Sequence, residues 1–392
     1  MKNQFNYYLI LLIFFSSNYF SNIWFETYDE FKVKKLEYSS SQNGINLSTT
    51  SFPIPLATII NSNGFKEKLV GLDSLLKDEI INSKNLYIKL SSFSETSPIR
   101  NISDDWKSKN SFSIVSSFTT TNFATTLNLS IEDDNFDNKK FFLDGSNISF
   151  TKWNNIFGFG FINRWWGPTH NNNLILSNFS RPSPGFYINS LKSLNFKNFL
   201  SFLGPMDYSF FVDRLEKNRH VQNPYLIGTR VSINPLNNLY LGFSRTITIG
   251  GEGRREDFTT LSKAIFGALE AADNPGVSSA NKDGYDYSNQ LAGYDIKYDI
   301  DINDLLMSFY IQEIAEDGDT SSTSPLSGYM LTFGSEIKYQ KSGLLRSFVI
   351  EFTRTILDRH NSASRGRNIA YEHGTYKSGY RYRGLPIGAF ID

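Results

Sequence analysis

The sequence predicts an all-β chain, a transmembrane antiparallel β-barrel with a small helical segment ahead of it. Three observations predict this. Aromatic residues make up 15% of the 392, with 34 Phe and 21 Tyr, as suits a sheet with aromatic bands. From Leu86 onward, apolar and polar residues alternate with period two. The connections between the later strands alternate between short and long, a sorting that outer-membrane barrels show and a β-sandwich has no reason to show. The mean hydropathy of −0.32 does not oppose this, because alternating strands average out.

Taken in chain order, the first element is an export signal. Lys2 supplies the charge and Tyr7–Phe15 the apolar core, and Ser21 is the expected cleavage site. The apolar run is too short to span a bilayer as a helix. Residues 22–85 are expected to form a periplasmic segment. Within it Phe65, Leu69, Leu72, Leu75, Leu76 and Ile80 recur at three and four, predicting an amphipathic helix over Gly64–Ser83.

The barrel is expected over residues 86–392, with about fourteen strands. Leu86, Ile88 and Leu90 alternate with Tyr87, Lys89 and Ser91; Phe157, Phe159 and Phe161 alternate with glycines. The clearest strand sets Tyr294, Ile296 and Tyr298 against Asp295, Lys297 and Asp299. The expected arrangement turns the apolar face to lipid and the charged face to a wet lumen. Strands 225–234 and 239–249 are joined by Pro235–Asn238, strands 291–300 and 305–314 by Asp301–Asp304, and strands 328–339 and 346–356 by Gln340–Leu345. Long connections lie between these pairs, which places Gly250–Gln290 and Leu357–Tyr382 outside the cell. Part of the first, Phe258–Ala272, is expected to be a helix folded over the barrel mouth.

Charge is balanced, 39 basic against 39 acidic residues, so nucleic acid is not an expected partner. No cysteine is present, which excludes disulfides and thiolate metal sites. His170, His220, His360 and His373 lack metal-ligand spacing. No cofactor is expected. Asp295, Asp299, Glu336 and Glu351 fall at lumenal positions without a catalytic motif, and no nucleophile elbow occurs; an enzyme is not expected.

The most distinctive stretch is Arg164–Ser190, with Arg164-Trp165-Trp166 before Gly-Pro, the apolar Leu174–Leu176, and Arg181 in a rigid Arg-Pro-Ser-Pro-Gly run. Planar aromatics beside arginine suit a sugar ring, which offers an apolar face and a hydroxyl rim. Arg245, Glu252 and Arg254 form a second block, and Tyr380, Arg381, Tyr382 and Arg383 a third. These eleven residues are the candidate ligand contacts, provided the three blocks converge. The competing reading is a loop plug in which arginines pair with lumenal carboxylates and tryptophans fill space.

Separated blocks in fixed order carry a family resemblance: Arg164–Pro168, Leu174–Ser177 with Arg181–Gly185, Gly228–Ser232, Gly242–Arg245 leading to Gly250–Arg254, Asn289–Asp295, Tyr371–His373 and Gly379–Arg383. Together they resemble the outer-membrane capsule assembly family Wzi over roughly residues 157–392. The resemblance implies a barrel of about eighteen strands, loops that plug its lumen, and lectin-like binding of capsular or other surface polysaccharide by a monomer in outer-membrane lipid, without catalysis. Against that count the chain is expected to lack about four strands, or else to close as a smaller barrel. The alternative function is a porin or channel for sugars or small anions.

Overall fold

The computed structural model describes residues 23–26, 30–61, 84–92, 101–102, 108–120, 122–133, 136, 139–265, 288–317, 327–358 and 371–390. The expected signal and the expected helix over Gly64–Ser83 lie outside these residues.

A 15-stranded antiparallel sheet forms the wall. Its main path runs in sequence order through β1 (Lys84–Ser92), β2 (Asn110–Thr119), β3 (Phe123–Glu132), β4 (Asn147–Lys152), β5 (Asn155–Phe161), β6 (Pro184–Ser190) and β7 (Pro205–Arg214). It continues through β8 (Tyr225–Leu236), β9 (Leu239–Ile249), β10 (Ser288–Ile302), β11 (Leu305–Asp317), β12 (Ser327–Lys341) and β13 (Leu344–Asp358). Two short strands, Phe141–Phe142 and Leu194–Asn195, pair with β3 and β7. Among the described residues the sheet is not closed between β1 and β13.

The period-two pattern becomes two opposite faces. Leu129, Phe243, Phe333, Phe348 and Ile350 point outward, each about half exposed or more, while Ser244, Asp295, Gln312, Glu336 and Lys338 point inward and are buried. A water-soluble fold does the reverse; this sheet is built for hydrocarbon outside. No described helix is long and apolar enough to cross a membrane. Turns close one end tightly. Trp153-Asn154 and Ser342-Gly343 both hold positive φ, the geometry of two-residue hairpins that follow the strand twist. The connection 191–204 is the exception there, carrying a 3-10 helix over Asn198–Leu203. Pro235 lies inside β8 and not in the turn, at the register shift between Ile233 and Leu236, where a residue without an N–H is tolerated.

The expectation of a wet lumen is corrected. Asp295, Lys297, Glu336 and Lys338 are at most 4% exposed, because the chain's own segments fill the inner face. Residues 23–61 contribute helices α1 (Glu30–Gln42) and α2 (Leu56–Asn61). Phe25, Leu36, Leu47, Phe52 and Ile59 pack there around Trp165. Glu37 of α1 lies between Lys297 Nζ at 2.9 Å and Lys338 Nζ at 2.7 Å. Arg230 binds Asp295 at 2.6 Å and donates to the Thr50 carbonyl at 2.9 Å. Buried charge is costly unless paired, and here each wall charge meets a partner from the wall or from the filling segment. Burial would raise the Glu37 pKa, but Lys297 and Lys338 overcome that and hold it down to about 2.

Helix α3 (Phe258–Ile265) is also corrected. It does not cover the mouth. Leu261 and Ile265 pack on outward Ile227, Ile247 and Ile249, so the helix lies against the outside of the wall. The reason is its composition: its apolar side matches an outward patch of β8 and β9, while the lumen is already filled.

Candidate functional site

The segment after β5 turns inward and not up. Trp165-Trp166 pairs as a short ribbon with Ser51-Phe52 of the N-terminal segment, and both tryptophans are 1% exposed. The Trp165 indole donates to the Thr169 carbonyl at 2.9 Å, and Trp166 packs on Phe211 with ring centroids 5.4 Å apart. Gly167 permits this course. Its φ is +146°, and a Cβ there would meet the Gln312 side chain at 2.4 Å. Gln312 of β11, fully buried, donates to the Trp166 carbonyl at 2.8 Å and accepts from the Leu174 amide at 2.9 Å.

Three further anchors hold the loop. Glu351 of β13 accepts the amides of His170, Asn171 and Asn172 at 2.8, 3.2 and 2.9 Å. His170 Nε2 stands 3.0 Å from Glu336. Leu174, Ile175 and Leu176 are buried in one cluster with Tyr371, Tyr380, Tyr382 and Ile387, and the Tyr371 hydroxyl donates to the Leu174 carbonyl at 2.7 Å. Burial pushes the phenols of Tyr371, Tyr380 and Tyr382 up.

The two arginines of this stretch are spent internally. Arg164 forks onto Asp213 at 2.7 and 3.4 Å and lies 3.8 Å over the Phe211 ring. Arg181 binds Asp144 at 2.6 Å and Glu132 at 2.7 Å, with Phe142 3.6 Å beneath. Burial works against its charge, but these two carboxylates overcome it and raise the Arg181 pKa.

So the three sequence blocks do converge, but most of their members face inward. Arg164, Trp165, Trp166, Arg181, Tyr380, Tyr382 and Arg383 are all buried, at most 9% exposed. The guanidinium groups of Arg164 and Arg181, the Trp165 indole and the Tyr380 hydroxyl are bonded to protein, because a polar-lined barrel leaves aromatics and arginines as its filling. Arg383 stacks 5.2 Å from the Phe142 centroid and turns the hairpin Arg381–Pro386 with Gly384, both at positive φ. Arg245 sits on the outer wall, donating to Gln290 and to the Ile265 carbonyl at the end of α3.

Glu252 and Arg381 are exposed, and Arg254 is half-buried beside Tyr376, 5.6 Å from its centroid. They stand on two connections, 250–257 and 371–383, tied to each other and to a third, 215–224, at the long-loop end. Arg219 donates to the carbonyls of Arg381 and Gly379 at 3.0 and 3.1 Å. The Glu252 amide donates to the Gln222 carbonyl at 2.8 Å, and the Tyr376 hydroxyl to the Gly250 carbonyl at 3.1 Å. This rim, built from 215–224, 250–257 and 371–383, is the solvent-facing surface that the blocks form. Sequence reading missed the inward anchors Asp213, Arg230, Gln312 and Glu37. Strand alternation is a signal that sets the first three inward, but no local pattern names their partners. Among the described residues no group of three acidic or histidine side chains is placed to hold a metal.

The chain resembles known proteins in family, sequence and fold. Residues 81–392 match the capsule assembly protein Wzi family. A Klebsiella pneumoniae protein described as an uncharacterized 55.8 kDa protein in the cps region is 32% identical over 167 residues, 42% of this chain. That match spans 31% of the relative's length. The solved structure of Escherichia coli Wzi, described as an outer-membrane protein involved in group 1 capsule assembly and a carbohydrate-binding β-barrel, superposes with a TM-score of 0.76 at 22% identity. The superposition covers 96% of this chain and 79% of that one. With the family matched across its wall and loops, the chain belongs to the capsule assembly protein Wzi family.

Proposed function

We propose that this chain is an outer-membrane protein that holds capsular polysaccharide at the cell surface through its long-loop rim, without catalysis and as a single chain in lipid. The observation that carries the reading is the division of labour among the loops. One set fills the inner face, while 250–257 and 371–383, the latter rooted by buried Tyr371, Tyr376 and Tyr380, keep Glu252 and Arg381 exposed. Glu252, Arg254 and Arg381 are the contact residues of this proposal. Arginine forks suit sugar carboxylates and hydroxyls, and Glu252 suits hydroxyl donors. Arg164, Trp165, Trp166, Arg181, Tyr380, Tyr382 and Arg383 act as positioning residues, holding the rim from below. Arg245 fixes α3 against the wall.

The family match and the carbohydrate-binding relative support this reading. The inward carboxylates support a non-catalytic role, since Asp295, Glu336 and Glu351 are committed to Arg230, Lys338 and the loop amides. The test is retention of the detergent-purified protein on immobilised capsular glycan. Binding that weakens on Arg254→Gln with Arg381→Gln is expected, and failure of the unaltered protein to bind any surface glycan overturns the proposal. The porin alternative is read separately, by single-channel recording: the packed inner face is expected to pass no steady current.

A further inference from the structure

The outer wall carries a dent at its long-loop end. The β3 ladder is shared between two partners, β4 along Phe123–Thr126 and the short strand Phe141–Phe142 along Ser130–Ile131. The second partner is only two residues long, and beside it a groove of about 550 Å³ opens, lined by Leu129–Ile131 and Phe141–Asp144. That volume lies in the range of small-molecule sites.

Its two ends differ in chemistry. Ile131 and Phe141 are register partners and so share the outward face. With Leu129 and Leu143 they line the lower groove, exposed by 48, 70, 51 and 38% respectively. The upper end turns over the inward Phe142, whose ring is approached by Arg181 at 3.6 Å, Arg383 at 5.2 Å and Lys139 at 5.6 Å. Glu132 and Asp144 answer Arg181 there. The groove is thus apolar on the side facing hydrocarbon and polar at the level where the wall meets the loops.

We propose that this groove binds one acyl chain of a membrane lipid, lying along Leu129, Ile131 and Phe141 with its polar head beside Lys139 and Arg383. A lipid is the occupant because the apolar half is continuous with the outward face that the fold turns to hydrocarbon. The amphiphilic order of the groove, apolar below and polar above, matches that of a lipid. A dent in a lipid-facing wall that stayed empty would forfeit dispersion contacts along its lining.

The experiment uses the whole protein in detergent with a phosphatidylethanolamine carrying a diazirine on one acyl chain, followed by peptide mapping after irradiation. Saturable labelling near one lipid per protein is expected, concentrated at 129–131 and 141–143, roughly tenfold over the plain wall at Phe333 and Phe352. Leu129→Trp, which fills the groove from an outward position, is expected to abolish the saturable part while leaving the thermal transition unchanged. Labelling spread evenly over the outward wall overturns the proposal. So does labelling that never saturates, or that survives Leu129→Trp, or that is displaced by a peptide and not by lipid.

Discussion

The segment Arg164–Ser183 and the rim of 250–257 and 371–383 issue from the same end of one sheet, yet they have opposite fates. The first carries tryptophans, arginines and an apolar run, and is buried. The second roots its tyrosines in the interior but leaves charges such as Glu252 and Arg381 exposed. In a water-soluble protein an aromatic and arginine-rich loop is a natural suspect for ligand contact. Inside a barrel whose wall is apolar outward and polar inward, the same composition is what the interior needs. Arginine answers lumenal carboxylates, and aromatic rings supply the apolar core that the inward wall lacks. The difference teaches that loop composition must be read against the polarity of the surface beneath it.

The largest effect that would break this comparison is loss of the buried anchor. Trp166→Ala removes a ring packed on Phe211 in the main interior cluster and is expected to cost about 3–5 kcal/mol. Thermal unfolding in detergent checks it. A cost near zero would return Trp166 to the ligand-facing set. Arg164→Gln tests the electrostatic half of the same anchor. Asp213, 1% exposed, would keep only Ser183 at 2.7 Å, and leaving a buried charge unpaired costs about 3–5 kcal/mol. The double variant Arg164→Gln with Asp213→Asn is expected to recover most of that, which a direct ligand role for Arg164 does not predict.

How far the sequence reveals this arrangement differs between the same two kinds of region. The wall is readable residue by residue, because alternation is a local property: Asp295, Lys297 and Glu336 stand inward as their phase requires. The turn Ser342-Gly343 is readable for the same reason, lying between two alternating runs. The interior is not. Glu37 meets Lys297 and Lys338 across hundreds of positions, and nothing near Glu37 in the chain marks it. Gly167 can be read as a turn, but its need for a missing Cβ comes from Gln312, far along the chain. The rim was half legible. Composition groups Glu252, Arg254 and Arg381 with the buried residues, and only depth separates the two groups.

A medium effect concerns how the N-terminal segment is held. Glu37 has its pKa lowered to about 2 from an ordinary value of 4.5. A depressed carboxylate stabilises the folded state fully above its unfolded value, and this contribution fades as pH falls through the folded one. Docking of residues 23–61 is therefore expected to be firm at neutral pH and to weaken as pH falls from about 4.5 toward 2. Proteolysis of the N-terminal segment against pH, with the barrel wall as internal reference, checks the sign. Glu37→Gln should flatten the dependence by removing the titrating group. A segment released by raising pH through the same window would refute the arrangement.

The smallest stability effect sharpens the comparison most. Arg381 is exposed and Arg254 only half-buried, so Arg381→Gln is expected to change stability by no more than about 0.5 kcal/mol, with Arg254→Gln little more. If the rim meets the glycan, the same pair should weaken retention on capsular polysaccharide roughly tenfold, the worth of one charge-assisted hydrogen bond. The buried set must show the opposite ratio: Trp166→Ala costs stability first and binding only as the loops loosen. A rim variant that retains full binding, beside a Trp166 variant that folds normally and does not bind, would reverse the assignment of the two regions. Measuring both quantities on both variants separates contact from support, which neither measurement does alone.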